Sequence, residues 1–172
     1  MVGVGSNNSQ GAFDNVVVQI LPPQITFDQT DDFNDGTAPM FTGGTSGTWS
    51  VGNGVYSVIS DGGTDASMLD IGPNHLAVSS YLELSADVAP NGRAGFVFDR
   101  YGSDGFKFVL LDAQAQQVVI GHYTSSRGWV SDATVSATID PGASHSLDVA
   151  LKGRSSMWAK ESEMLMPNFC SS

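Results

Sequence analysis

At 172 residues, with 41% hydrophobic and 15% charged residues, the chain is long enough to bury one core and too apolar to stay disordered. Seven Lys and Arg against 18 Asp and Glu give a net charge of −11, which repels nucleic acid and anionic membranes. No apolar run approaches the roughly 18 residues that a membrane-spanning helix needs, and the single Cys170 rules out an intrachain disulfide.

The opening residues, Met1-Val2-Gly3-Val4-Gly5-Ser6, have no basic region ahead of an apolar one and do not read as a secretion signal. Strand signals then recur about every dozen residues, separated by Gly, Asn, Asp and Pro, a spacing typical of β-sandwiches and barrels. The sequence predicts strands at Phe13–Leu21, Gly47–Val51, Val55–Ile59, Ser67–Ile71, Ser80–Val88, Gly95–Arg100, Phe106–Asp112, Gln117–Tyr123, Thr134–Ile139 and His145–Lys152. Leu82, Leu84, Ala86 and Val88 fall on one face of their strand, and Leu147, Val149 and Leu151 on one face of theirs. Phe96 and Phe98, followed by Phe106, Phe108 and Leu110, read as a hairpin sharing one core face across the turn at residues 101–105. Helical character shows only in the tail from Ser155 to Ser172. There the composition shifts abruptly, with Met157, Met164, Met166, Cys170 and two of the three glutamates. Lys152-Gly153-Arg154 looks like a hairpin turn without a second strand, and the tail reads as sequence foreign to the domain. Together these signals predict an all-β, two-sheet antiparallel β-sandwich.

Several stretches resemble the concanavalin A-like lectin/glucanase superfamily in its laminin G-like form, found as repeats in bacterial surface proteins. They are Asp31-Asp32-Phe33-Asn34-Asp35-Gly36, Gly47-Thr48-Trp49-Ser50-Val51, Gly95-Phe96-Val97-Phe98, Phe106 to Asp112, Val118-Val119-Ile120-Gly121, Gly128-Trp129 and Ser144 to Val149. The resemblance covers residues 30–154 and implies a jelly roll located outside the cell or on its surface. It also implies three segments. Residues 1–23 match the closing strand of a preceding repeat plus a Pro22-Pro23 linker, residues 24–154 form the sandwich, and residues 155–172 are not native to it. A sandwich lacking its last strands has an open edge. The apolar segment Phe13–Ile20 fits that edge either within its own chain or, as the preferred expectation, in a strand-exchanged homodimer.

Three chemistries follow. By the resemblance, structural calcium would lie where first and last strands meet, using Asp14 with Asp32, Asn34 and Asp35; loop carboxylates suit that ion, although aspartate equally serves turns. Carbohydrate recognition would use the loop aromatics Tyr101, Tyr123 and Trp129 with Arg127, the competing role being to plug the sandwich edge. The retaining-glucanase pair of carboxylates, about 5–5.5 Å apart, has no counterpart, since Glu83 has no acid two residues on. A metal-dependent hydrolase would instead gather His122, His145 and Asp99 around zinc. The leading expectation is a non-catalytic module binding carbohydrate or a cell-surface partner. The zinc hydrolase and a purely structural spacer repeat are its rivals.

Overall fold

Side chains that alternate with period two let an extended chain bury one face, and the sequence is built of such segments. The structure, a computed structural model, describes residues 2–21, 27–71, 80–101, 105–152, 156–161 and 164–165. In chain order the strands are β1 (Val2–Asn7), β2 (Gly11–Leu21), β3 (Phe27–Asp31), β4 (Phe41–Gly44), β5 (Thr48–Gly52), β6 (Val55–Ile59), β7 (Thr64–Leu69) and β8 (Tyr81–Pro90). They continue with β9 (Arg93–Tyr101), β10 (Gly105–Asp112), β11 (Gln117–Thr124), β12 (Gly128–Ser136), β13 (His145–Lys152), β14 (Ser156–Glu161) and β15 (Met164–Leu165).

One sheet runs β12-β11-β10-β9-β1-β7-β4, the other β15-β14-β13-β8-β2-β6-β5 with β3 beside β2. The two pack face to face as a jelly-roll-like sandwich around a core that includes Val4, Phe13, Phe33, Leu84, Phe96, Phe98, Leu111, Ile139 and Val149. One hydrogen bond ties the sheets across this core. The Tyr56 hydroxyl of β6 lies 2.8 Å from the Ser67 hydroxyl of β7, both buried. Burial also holds the Tyr56 phenol above its ordinary range, only partly offset by that bond.

The N-terminal segment enters both sheets of its own chain. β1 lies between β9 and β7, while β2 lies between β8 and β6, with Gly3 opposite Val97 and Val18 opposite Leu84. Both edges of β2 are therefore occupied without a second copy. The tail also departs from its helical expectation. Ser156–Glu161 pairs with β13 in register, Ala150 opposite Trp158, so a second strand does follow Lys152. Helical composition yields here because β13 offers an unpaired row of backbone groups.

The predicted hairpin exists, but its phenylalanines do not share a face. Directly opposite residues in an antiparallel pair point to the same side. Phe108 stands opposite Val97, and Phe96 opposite Val109. Phe96 and Phe98 therefore enter the core between the sheets, whereas Phe106, Phe108 and Leu110 lie on the far side of the seven-stranded sheet. Two strands begin three or more residues earlier than predicted: the segment expected from Ser67 begins at Thr64, and the one expected from Thr134 begins at Gly128.

The Asp-rich segment after β3 shapes a turn. The Asp31 carboxylate accepts the Phe33 amide at 2.9 Å. It thereby holds Phe33 in a left-handed conformation (φ 54°) that costs a bulky residue about 1–3 kcal/mol. The strain is offset by aromatic packing: the fully buried Phe33 ring lies 5.5 Å from Tyr56, which in turn lies 5.0 Å from both Phe41 and Trp49.

Two predictions test this architecture. Phe98→Ala should cost about 3–5 kcal/mol in denaturant unfolding, since a fully buried aromatic is lost from the main core; a loss below about 1 kcal/mol would contradict its placement. Deleting residues 1–21 removes an internal strand from each sheet and should leave protein that shows no cooperative melt. A well-folded monomer with the parent melting temperature would overturn the pairing.

Candidate ligand-binding site

The two outward faces of the sandwich differ in kind. On the eight-stranded sheet, outward positions carry Glu83, Ser85 and Asp87 of β8 and Asp148 of β13, with the Ser85 hydroxyl donating to Asp148 at 2.6 Å. On the seven-stranded sheet the outward positions at the centre are apolar and buried. Ala66 and Met68 of β7, Val97 of β9, Phe108 and Leu110 of β10 and Val119 of β11 form a second cluster, bordered by Phe106 and Trp129.

Burial on an outward face requires the sheet to curl, and one contact measures the curl. β12 and β7 are five strand spacings apart, about 24 Å along a flat sheet. Yet the Trp129 indole of β12 donates to the Thr64 hydroxyl of β7 at 3.2 Å. The face is therefore concave. Two glycines permit the approach. A Cβ on Gly95 would lie 2.2 Å from the Val109 carbonyl, and one on Gly121 would lie 2.1 Å from the Val130 carbonyl and 2.5 Å from the Phe108 ring.

Aromatic rings gather at one end of this concavity. Phe106 and Tyr123 are directly opposite across β10 and β11 and stack at 5.0 Å with planes 12° apart. Trp129 meets Phe106 edge-on at 5.3 Å and lies 4.6 Å from Phe108. Beside them a cavity of about 160 Å³ opens between Thr45, Thr64, Met68, Arg100, Phe106 and Tyr123. Tyr123 and Trp129 are both half-buried, each with one part in the cluster and another reaching solvent.

Arg100 reaches the cavity through a β-bulge. Phe98 pairs with Lys107 and Tyr101 with Gly105, so β9 carries one residue more than β10 over this stretch. Asp99 takes a left-handed backbone (φ 50°), breaking the alternation so that Arg100 lines the same cavity as Val97. Strict alternation assigns Arg100 to the opposite side from Val97, so sequence reasoning missed it. Of the residues expected here, Tyr123 lines the cavity, whereas Trp129 packs on Phe106 and Phe108 beside it without lining it. Arg127 sits exposed in the turn between β11 and β12, its backbone amide bonded to Thr124, and does not line the cavity. The Tyr101 side chain lies outside the described residues.

The two expected metal sets are dispersed. Asp32 accepts the Asn34 backbone and side-chain amides at 3.1 and 2.9 Å. Asp35 accepts the Thr37 amide at 2.8 Å, and Asp14 the adjacent Asn15 amide at 2.8 Å. These carboxylates serve their own loops. Asp99 bonds Lys107 at 2.9 Å, Lys107 stands opposite His122 in register, and His122 lies 2.8 Å from Asp132. The result is a surface row of polar contacts worth little energetically, about 0–1 kcal/mol per pair. His145 belongs to the other sheet, where its ring nitrogen is 3.3 Å from the Asp140 carbonyl. Among the described residues no three His, Cys, Asp or Glu side chains come together at a spacing that would hold a metal ion.

Searches against family models, curated proteins and solved structures find no match to this chain. The site is therefore read from its geometry.

Adjacent aspartates give a pH test of the turn. Burial raises the Asp31 carboxyl above the ordinary range, despite the Phe33 amide, and the Asp35 and Asp32 charges push it the same way. The Asn34 amides lower Asp32 below that range. A raised folded value means stability falls as pH rises from the unfolded to the folded value; a lowered one means stability falls as pH drops through the folded value. The melting-temperature advantage of wild type over Asp31→Asn should thus shrink as pH rises just above the ordinary carboxylate range. The advantage over Asp32→Asn should shrink as pH falls below it. Differences that stay flat across pH 2 to 7 would contradict both assignments.

Proposed function

We propose that this chain is a non-catalytic binding module that takes a sugar ring into the concave face of its seven-stranded sheet. The module is presented outside the cell or on its surface. The observation that carries this reading is the aromatic group Phe106, Tyr123 and Trp129 beside a cavity of about 160 Å³. A pyranose presents an apolar face of C–H groups and a rim of hydroxyls. The half-buried Tyr123 and Trp129 offer flat apolar surface for the first. The Thr45 and Thr64 hydroxyls and the Arg100 guanidinium supply donors and acceptors for the second. The overall sequence resemblance to laminin G-like domains supports the same class of function. The dispersal of His122, His145 and Asp99 over two sheets gives the hydrolase reading no assembled centre among the described residues.

Binding to an immobilised glycan panel tests the reading. Wild type should retain at least one glycan. Tyr123→Ala and Trp129→Phe should each weaken that binding about tenfold, the loss of more than 1 kcal/mol typical of a central aromatic contact. Circular dichroism should show both variants folded, Trp129→Phe being chosen to keep an aromatic ring packed on Phe108. A panel on which wild type binds nothing, or on which both folded variants bind as wild type does, would sink the proposal. Sugar release that stops with chelator and returns with zinc would favour the hydrolase.

A further inference from the structure

Building on the sugar-binding reading of this cavity, we infer that the ring it accepts is an acidic one, a pyranose whose exocyclic carbon is a carboxylate. The charge distribution carries the inference. The chain has 18 acidic and only seven basic residues, yet among the described residues the cavity wall contains no acid and one arginine, Arg100. The neighbouring faces show what a typical surface of this molecule looks like: Glu83, Asp87 and Asp148 on the outer side of the other sheet, Asp99 and Asp132 along the rim of this one. An acid-free wall in so acidic a protein keeps its potential from repelling an anion that must enter it.

The backbone places the cation. A bulge costs a ladder hydrogen bond and needs an unusual conformation, here the left-handed Asp99. Its effect is to re-aim the next side chain, and that side chain is Arg100. A guanidinium has five N–H donors in a planar fork whose geometry matches a carboxylate. Facing a carboxylate it forms paired charge-assisted bonds, roughly twice as strong as those to a neutral hydroxyl. The apolar atoms of Met68, Val97 and Phe106 around it lower the local dielectric and strengthen that preference. Size limits the ligand further. At about 160 Å³ the cavity falls below the roughly 300–1,000 Å³ of pockets that enclose a drug-sized molecule, so one ring, such as a chain terminus, fits inside it.

Matched pairs of methyl glycosides test the inference: glucoside against glucuronide, galactoside against galacturonide, mannoside against mannuronide. Ligand-observed NMR titrations of the full chain would be run at low and high salt. At least one uronide should bind tenfold or more tightly than its neutral partner, and the margin should narrow as salt rises. Arg100→Gln should erase the margin, lowering uronide affinity tenfold or more while lowering the neutral partner's affinity by much less; Arg100→Lys, which keeps the charge but loses the fork, should restore part of the margin. Equal affinity within every pair, with binding still lost in Tyr123→Ala, would overturn the acidic-sugar inference and leave the sugar-binding reading intact. A uronide preference that survives Arg100→Gln would also overturn it. No binding by any of the six glycosides would remove both.

Discussion

The pairing of β9 with β10 decides on which side of the seven-stranded sheet each aromatic residue falls. With Phe96 opposite Val109 and Phe108 opposite Val97, one pair of phenylalanines supports the inter-sheet core and the next supports the concave face. A slip of one residue would exchange the two sets and leave both surfaces wrongly filled. The inter-sheet core and the candidate binding face are thus two products of one register. Gly95 and Gly121 serve that register by making room for the curl, and the Trp129–Thr64 hydrogen bond spans its concave side.

Much of the strand pattern was legible because a half-buried strand writes its own alternation. Val55–Ile59 and His145–Lys152 have the bounds expected of them, and Leu82, Leu84, Ala86 and Val88 are buried together as their spacing requires. β10 was harder because it is apolar on both faces, from Phe108 through Leu111, so its spacing could not say which residues face the core. Bulges hid the rest. In β2, Asn15 adopts φ 51° and an extra residue intervenes between Asp14 and Val17, allowing Phe13, Val16 and Val18 all to point inward. The bulge at Asp99 likewise concealed Arg100. Tyr123 and Trp129 were visible in advance because loop-flanking aromatics stand out. Their partner Phe106 was assigned to the wrong face for want of the register.

The aspartates divide into structural and surface groups. Asp112 is almost wholly buried, accepts the Gln114 and Ala115 amides that shape the β10–β11 turn, and meets Arg93 at 2.6 Å. Asp31 fixes the left-handed Phe33, and Asp32 and Asp35 complete the same turn. Turn formation accounts for these four without a bound cation. Asp14, Glu83, Asp87 and Asp148 instead charge the outer side of the eight-stranded sheet, which sets that side apart from the concave one.

The interior positions of β1 and β2 also bear on how the chain reaches its folded state. Both are synthesised well before some of the strands they pair with: Gly3 waits for Val97, and Val18 waits for Leu84. Loop closure over such distances precedes any gain from contact, and topologies of this kind fold slowly. For as long as β1 and β2 lack neighbours, the Phe13–Ile20 run is an apolar, β-prone strand open on both edges, a template for association between nascent chains. Asp14, Asn15 and Gln19 interrupt that run with polar groups, and Asn15 bends it, so the bulge that seats Phe13 and Val16 in the finished core also blunts the segment before its partners exist.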